Sequence, residues 1–523
     1  MQKIYDALNF IDGNILWGVP MIVFLIFTGV LLSVFTRFFQ VRKFGFALKR
    51  TFIASLKQMR RRTSAERNDE EGKEGKEKKE GKEKKEGGAR CAADDTGKGA
   101  GAKKNKKTIS PFAAFSTAVS GTVGTGNIVG VTTAILSGGP GAVFWMWVSA
   151  FFGCVTKYAE ITLGLYYRKR NKDGEFVGGP MQYIEHGVKS RWLAAAFAVF
   201  AILAAAGMGS VQADTIEKTW QGAFGIPVWV TALIIALLTA LVIIGGIKRI
   251  GAVASCIVPF MAVLFIVLAL ILVCANIAAV PAALGSIFTS AFTARSLLSG
   301  FAGYGIAKAM RYGFARGVFS NEAGLGSSSI AHSSADTREP VEQGLWGVFE
   351  VFLDTFVICT LTALFVLTSG VNTGSEDGAA VAMSAFTGVL GEFGTVAYSI
   401  ILPLFAFTTV LAWAVYGAKS VQYLCPRRPR TATMAFNIVY IALILGMGVL
   451  TFFYEGALGA DFVWLVSDMT NALMAIPNLI ALIVLSKQVV AITENYFARK
   501  RGEITEPMLS AYAPLAEDEA EGK

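Results

Sequence analysis

Residues 118–140 read Ala-Val-Ser-Gly-Thr-Val-Gly-Thr-Gly-Asn-Ile-Val-Gly-Val-Thr-Thr-Ala-Ile-Leu-Ser-Gly-Gly-Pro, an apolar segment long enough to cross a bilayer. Gly121, Gly124, Gly126 and Gly130 interrupt it, and each costs a helix interior roughly 1 kcal/mol relative to alanine. Backbone released from helical pairing at membrane depth must be buried in protein or line a wet cavity. The stretch therefore predicts a broken membrane helix with a binding site at the break. The alternative is close helix packing through Gly126 and Gly130.

The composition indicates an integral membrane protein. Of the 523 residues, 54% are hydrophobic and 16% are charged, against about 25% charged residues in soluble domains. The net charge of +10 comes from Lys and Arg in the loops between apolar runs, as the positive-inside rule predicts. We therefore expect membrane lipid around the protein and no nucleic-acid partner. The 6 cysteines are scattered and form no disulfide or zinc pattern.

The ends of the first apolar run predict the orientation of the chain. A polar start, 1–14, precedes a span at about 15–35, and a basic run follows it at 37–50. This predicts a multi-pass protein of the plasma membrane with the N-terminus outside and the C-terminus in the cytoplasm. Residues 58–107 are dense in Glu, Lys and Gly and are predicted to be a disordered cytoplasmic insert. The predicted divisions are an N-terminal segment with the first span (1–57), the charged insert (58–107), a first five-helix repeat (108–284), a second five-helix repeat (285–490) and a cytoplasmic tail (491–523).

The basic clusters also set the number of spans. Besides the first, strong spans are predicted at about 110–136, 141–167, 191–215, 226–247, 251–279, 344–369, 395–423, 432–453 and 462–488. Lys248 and Arg249 can lie on the same side as the cluster at 427–430 only if one more crossing lies within the weakly hydrophobic region 285–340. That region is again broken by glycines, and we expect its Glu322 to hold the break in shape. We therefore predict an all-α protein of about eleven transmembrane helices: one extra N-terminal helix, then two inverted blocks of five, each led by a broken helix.

Several long motifs then resemble a known family. They are Gly-Thr-Val-Gly-Thr-Gly-Asn-Ile-Val-Gly-Val at 121–131, Gly-Gly-Pro-Gly-Ala-Val-Phe-Trp-Met-Trp at 138–147, Gly-Gly-Pro-Met-Gln-Tyr-Ile at 178–184 and Phe-Ser-Asn-Glu-Ala-Gly-Leu-Gly-Ser at 319–327. In this order they resemble the alanine or glycine:cation symporter family, sodium-coupled amino-acid transporters of the LeuT fold. The resemblance extends from about residue 10 to 490, except for the charged insert.

The resemblance implies a substrate site at the first break. Thr125, Gly126 and Asn127 would receive the carboxylate of the amino acid, and Gln212 and Trp413 would surround its amine and side chain. From the residues alone, Gln212 is equally well explained as a hydrogen bond between helices, and Trp413 as packing. The substrate is expected to be a small neutral amino acid such as alanine or glycine, with glutamine left open.

The resemblance also implies a site for the coupling ion, sodium. Ser120 and Val123 stand where the helix unwinds, and Thr408 and Thr409 stand in the middle of the ninth span. The alternative for the two threonines is a bond from each hydroxyl to a carbonyl of its own helix.

Other function classes fit less well. No P-loop or Gly-x-Ser-x-Gly motif occurs and only two histidines are present, so we do not expect an enzyme. An ion channel is disfavoured because the two broken helices differ, whereas selectivity rings come from symmetric assembly. Proton coupling through an intramembrane acid is the nearer alternative to sodium coupling.

The predicted orientation can be tested at the insert. A cysteine that replaces Gly87 in a cysteine-free background should resist membrane-impermeant maleimide in intact cells, because the insert is predicted to be cytoplasmic. Permeabilised cells serve as the control and should label fully. Efficient labelling of intact cells would contradict the orientation and the count of spans.

Overall fold

The computed structural model describes residues 2–53, 108–171, 174–292, 302–371, 377–453 and 458–512. The insert predicted at 58–107 lies wholly outside these residues, and the described chain resumes at Thr108. The described chain is helical except for loops and a small antiparallel sheet, in which β1 (Lys169–Arg170) pairs with β2 (Phe176–Val177).

The α-helices in chain order are α1 (Gln2–Ile11), α2 (Val19–Phe35), α3 (Phe39–Arg42), α4 (Phe44–Leu48), α5 (Pro111–Thr122), α6 (Val129–Gly138), α7 (Gly141–Tyr166), α8 (Pro180–Tyr183), α9 (Arg191–Phe224), α10 (Val228–Ile243), α11 (Gly246–Ala275), α12 (Val280–Phe292), α13 (Ala302–Asn321), α14 (Ser327–His332), α15 (Pro340–Val351), α16 (Thr360–Thr368), α17 (Gly378–Leu390), α18 (Glu392–Leu424), α19 (Pro429–Phe453), α20 (Leu458–Val484) and α21 (Ser486–Arg501). Wider π-helical turns occur at Asp12–Leu16, Lys49–Ile53, Ile184–Val188 and Phe352–Cys359, and short 3-10 turns at Thr125–Asn127 and Ile277–Ala279.

The described helices confirm a multi-pass membrane protein. Eight of them are long and apolar enough to cross a membrane, and α5 with α6 forms a ninth span, bent by 58°. Two further segments complete the predicted eleven. One is α10, whose 16 residues extend about 24 Å; the other is α13 with α14, in the weakly hydrophobic region where the charge pattern requires a crossing.

The spans after the N-terminal helix form two blocks of five. The first block contains α5 with α6, α7, α9, α10 and α11; the second contains α13 with α14, α15 with α16, α18, α19 and α20. The third member of each block is its longest helix, α9 with 34 residues and α18 with 33, and these two helices pack against each other along the core. The predicted boundary between residues 284 and 285 lies within α12.

Two stretches are more helical than the sequence indicates. The polar start is helical: α1 continues through the turn at Asp12–Leu16 into α2, and together they form one span from Lys3 to Phe35. The fourth span runs to Phe224, past its predicted end at residue 215. In its polar C-terminal part Asp214 pairs with Lys218 one turn later, at 2.8 Å, which adds to the stability of the helix there.

The second broken helix is closed by side chains. Between α13 and α14 the chain takes positive φ angles at Glu322, Gly324 and Gly326. The Glu322 carboxylate accepts hydrogen bonds from the hydroxyls of Ser327 at 2.5 Å and Ser328 at 3.4 Å, so it holds the break in shape as the sequence predicts.

Two other helices supply the remaining partners of this break. Glu160 on α7 accepts from the Gly324 amide at 2.9 Å, and Asn478 on α20 donates to the Gly324 carbonyl at 2.9 Å and to Glu160 at 2.7 Å. Lys157, one turn before Glu160, donates to the Asn321 carbonyl at 2.6 Å and pairs with Glu350 at 2.8 Å. Side chains of the protein therefore satisfy both backbone groups of Gly324, at the centre of the second break.

The buried pair of Lys157 and Glu350 gives a test of this arrangement. Both side chains are fully buried, so Lys157→Met should lower the free energy of unfolding by about 3 to 5 kcal/mol by leaving a carboxylate unpaired. Thermal unfolding in detergent measures the loss. The double variant Lys157→Met with Glu350→Gln should recover part of it, and an additive further loss would show that the two charges do not stabilise each other.

Candidate functional site

The first broken helix holds its predicted residues in a tight buried turn. Ser110 caps the start of α5 by accepting from the Ala113 amide at 3.1 Å. The chain leaves helical geometry at Val123, passes through the turn at Thr125–Asn127 and re-enters a helix at Val129. Thr125 and Asn127 have no exposed surface, so the break lies inside the protein.

The end of α5 leaves backbone oxygens without partners. The last hydrogen bond of this helix runs from the Val123 amide to the Val119 carbonyl, at 2.7 Å. No hydrogen bond within the described chain reaches the carbonyls of residues 120–123. These are the orphan acceptors of a helix C-terminus, where the helix dipole is negative. This end of the break can coordinate a cation.

The start of α6 has the opposite character. The first described bond into this helix runs from the Thr132 amide to the Ile128 carbonyl. The N–H groups of Gly126 and of residues 129–131 find no acceptor within the described chain. They lie at the positive end of the helix dipole. Such an N-terminus binds anionic groups such as carboxylates. The two ends of one break therefore attract opposite charges within about ten residues.

Asn127 and Gln212 lie beside this turn. The Asn127 side-chain oxygen accepts from the Gly124 amide at 2.9 Å, and its nitrogen donates to a carboxylate oxygen of Asp354 at 2.6 Å. Gln212, on α9, accepts from the Thr125 amide at 3.4 Å. The structure thus brings Thr125, Gly126, Asn127 and Gln212 together, and Gln212 bonds the turn itself as well as joining two helices.

Trp413 lies farther along α18 and differs from the other predicted substrate residues. Its ring packs edge-on against Tyr416, with centroids 5.4 Å apart, and its indole N–H has no partner among the described residues. The Tyr416 hydroxyl lies 2.6 Å from where a side-chain carbon on Gly121 would project, so this face of α18 packs on α5. The described hydrogen bonds and ring contacts include none between Trp413 and the turn.

The four residues predicted to bind sodium are all buried. The Thr409 hydroxyl lies directly against Gly124, where it would collide with any side chain at that position. Ser120 donates to the carbonyl of Thr117 at 2.7 Å, and Val123 carries one of the orphan carbonyls.

The alternative for the two threonines also has support in the geometry. The Thr408 and Thr409 hydroxyls both donate to the Phe405 carbonyl, at 3.0 Å, and the Thr408 hydroxyl lies 3.5 Å from the sulfur of Met261. Thr409 faces the break, whereas the described contacts of Thr408 face α11. Each hydroxyl keeps its oxygen lone pairs while donating, so the bonds to Phe405 do not prevent coordination.

A cavity of about 650 Å³ lies beside this turn. Gly126 lines it, together with residues of α1, α6, α9, α13, α17, α18 and α20. Across the cavity Arg316 pairs with Asp468 at 3.4 Å, and the rings of Phe319 and Trp464 stack at 6.2 Å. A side-chain carbon on Gly126 would lie 3.1 Å from the Phe319 ring, so the space beside the turn is narrow.

Sequence reasoning missed these wall residues. Phe319 stands in a quoted motif, but its approach to Gly126 depends on how α13 packs on α6. No sequence pattern marks Trp464, which lies in an apolar span. The one available signal was Asp468 in the same span, because an ionisable residue within a span is a functional candidate by default.

Comparison with known proteins identifies the family. The model of the sodium:alanine symporter family matches residues 93–510. The chain belongs to this family. It is 37% identical over 500 residues to the sodium/alanine symporter AgcS of Methanococcus maripaludis, covering 94% of this chain and 97% of that protein. It is 45% identical over 401 residues to an uncharacterised transporter of Haemophilus influenzae, covering 76% and 86%.

Other relatives of this symporter family differ in the cargo that their names state. A probable sodium/glutamine symporter, GlnT of Bacillus subtilis, is 35% identical over 405 residues, covering 76% of this chain and 81% of that protein. Among solved structures, MhsT in complex with L-phenylalanine superposes with a TM-score of 0.53 at 14% identity, covering 79% of this chain and 96% of that one. That likeness concerns the fold alone, and it confirms the predicted LeuT-type architecture.

The narrow space beside the turn can be tested at Gly126. Gly126→Val should abolish amino-acid binding, because the valine occupies the space between the turn and Phe319. Gly130→Val is the matched control: it lines the same cavity one turn later, but the nearest atom to its new side-chain carbon is 3.9 Å away. Equilibrium binding and thermal unfolding of both purified variants measure the effect. Equal loss of folded protein in Gly126→Val would favour a packing role for the glycine.

Proposed function

We propose that this protein is a secondary active transporter that carries small neutral amino acids, alanine or glycine, into the cell together with sodium. The observation that carries the proposal is the contrast between the two broken helices. In the second break side chains bind both the amide and the carbonyl of Gly324, whereas the first break leaves orphan carbonyls at one end and orphan amides at the other. A cation and an amino-acid carboxylate supply the missing partners together.

The proposed substrate site lies at the positive end of the first break. The carboxylate of the amino acid binds the amides around Gly126 and Asn127, next to Thr125. Gln212 supplies an acceptor oxygen for the amine, and Trp413 lines the pocket around the amine and side chain. Phe319 limits the space beside Gly126, which favours a small side chain.

The proposed sodium site lies at the negative end of the same break. Sodium requires several oxygen ligands, and the unwound backbone at Ser120 and Val123 supplies carbonyls. The hydroxyl of Thr409 lies against Gly124, and Thr408 stands next to it on α18. Sodium bound there ties α5 to α18, so its presence favours one arrangement of the first broken helix.

The relatives support this choice of cargo and ion. Their names associate the family with sodium and with alanine or glutamine. We propose the plasma membrane as the location, with the N-terminus outside and the C-terminus in the cytoplasm. In that orientation the 650 Å³ cavity opens to the outside, because α1 lines it through Tyr5 and Asn9.

Proton coupling is the second candidate. Buried carboxylates lie near both breaks, at Glu160, Glu322 and Asp354, and intramembrane acids are the usual carriers of coupled protons. One relative, 34% identical over 503 residues, is named a putative sodium/proton-dependent alanine carrier of Bacillus subtilis. Uptake of labelled alanine with sodium replaced by choline at constant pH separates the two candidates. Uptake that persists in choline and rises with an imposed proton gradient would favour protons.

The two threonines give the sharpest test of sodium coupling. Thr409→Val keeps the side-chain shape and removes the oxygen next to Gly124, so half-maximal uptake should need about tenfold more sodium or more. Thr408→Val should act in the same direction. Substrate affinity should recover at high sodium, because the two ligands bind to linked sites.

Thr239→Val is the control for loss of a buried hydroxyl. Thr239 is fully buried and lies on α10, a helix that carries none of the proposed sodium ligands. It should leave the sodium requirement unchanged. An unchanged requirement in both Thr408→Val and Thr409→Val would place the ion elsewhere.

A further inference from the structure

We infer that Asp354 is a positioning residue for the substrate site: its carboxylate fixes the orientation of Asn127 and ties the two broken helices to each other. The inference rests on the proposed function, since it concerns the residue that we place at the substrate carboxylate. It adds a residue outside the predicted site, in the π-helical stretch Phe352–Cys359 that packs against the first break.

The carboxylate of Asp354 collects three hydrogen bonds from uncharged donors. Asn127 donates at 2.6 Å, the Ser320 hydroxyl at 2.9 Å and the Thr355 hydroxyl at 2.8 Å. Asp354 is fully buried in the π-helical stretch Phe352–Cys359. The wider turn of a π-helix is a recurrent feature of functional sites.

The nearby cation, Lys157, is paired with groups other than Asp354. Lys157 pairs with Glu350 and donates to the Asn321 carbonyl, and the ion pairs of the described chain include none with Asp354. The charge of Asp354 is therefore stabilised by the residues that form the breaks. Hydrogen bonds to an ionised acceptor are about twice as strong as neutral ones, so these three contacts hold their donors firmly.

The bond to Asn127 decides which way its amide points. A carboxylate only accepts, so it selects the nitrogen of the amide and turns the oxygen toward the opposite side. That oxygen accepts from the Gly124 amide at 2.9 Å. Without Asp354 the nitrogen of Asn127 keeps only its weak contact with the Cys359 sulfur, at 3.4 Å, so the acceptor of the Gly124 amide is held less firmly.

The same carboxylate reaches the other broken helix. Ser320 lies in the last turn of α13, just before the second break, and its neighbour Asn321 donates to Thr355 at 3.1 Å. The Cα atom of Ser320 is also 3.4 Å from where a side-chain carbon on Gly126 would lie. Asp354 thus accepts hydrogen bonds from both sides of the proposed substrate site, from Asn127 and from Ser320, and so fixes the distance between them.

Hydrogen exchange without any ligand tests the orientation of Asn127. In Asp354→Ala, the amide of Gly124 should exchange at least about tenfold faster than in the wild-type protein, because its acceptor is released. Asp354→Asn keeps an acceptor oxygen and the side-chain volume, and it should restore part of the protection. Thr355→Val is the matched control, since it removes a donor to the same carboxylate but leaves the bond to Asn127. It should leave Gly124 protected.

Binding of labelled L-alanine to the purified full-length protein tests the consequence for the site. Asp354→Ala and Asn127→Ala should each weaken binding about tenfold or more, and the double variant should be no weaker than the poorer single variant. Asp354→Asn should recover affinity in part. Additive losses would mean that Asp354 acts on general stability, and thermal unfolding of each variant measures that contribution directly.

The outcomes separate this inference from the proposed function. Unchanged exchange at Gly124 in both Asp354→Ala and Asp354→Asn overturns the positioning role, whatever the protein transports. If Asp354→Ala does not fold, Asp354→Asn alone decides, because partial loss of protection is expected there. Failure of the wild-type protein to bind alanine overturns the proposed substrate, while the exchange result still decides the role of Asp354.

Discussion

Every peptide group inside a bilayer must find its hydrogen-bond partner within the protein, and the rest of this structure follows from how that requirement is met at two breaks. The second break meets it at Ala323 and Gly324 with side chains: Asn321 from its own segment, Glu160 from α7 and Asn478 from α20. The first break meets it only in part. Its unpaired carbonyls and amides remain available to ligands, so one broken helix serves as framework and the other as the proposed site.

The framework carries its own electrostatic cost. Lys157, Glu160 and Glu350 are fully buried, and such charges stabilise a protein only when each one is paired and hydrogen-bonded. Here Lys157 bonds both Glu350 and the backbone at Asn321, so a single side chain neutralises a carboxylate and supports the end of α13. The helix supported in this way, α13, packs against α6 of the first broken helix.

The fold was predictable because its signals are local or countable. Glycines at 121–130 mark the first break, and the basic clusters require a crossing within 285–340 even though its hydropathy is weak. The closure of the second break was not predictable, since Glu160 and Asn478 are 318 residues apart in the chain. The narrowness beside Gly126 was also hidden, because it depends on the packing of Phe319 from the other block of five.

The proposed coupling of ion and substrate follows from the shortness of the break. The Thr409 hydroxyl lies against Gly124, and the Asn127 side chain accepts from the Gly124 amide. In the proposed mechanism, a cation that draws the carbonyls of residues 120–123 toward itself also shifts the peptide units whose amides bind the substrate. Each ligand changes the free energy of binding the other by the same amount, as linkage requires. In the second break, by contrast, side chains of Glu160 and Asn478 already hold both backbone groups of Gly324.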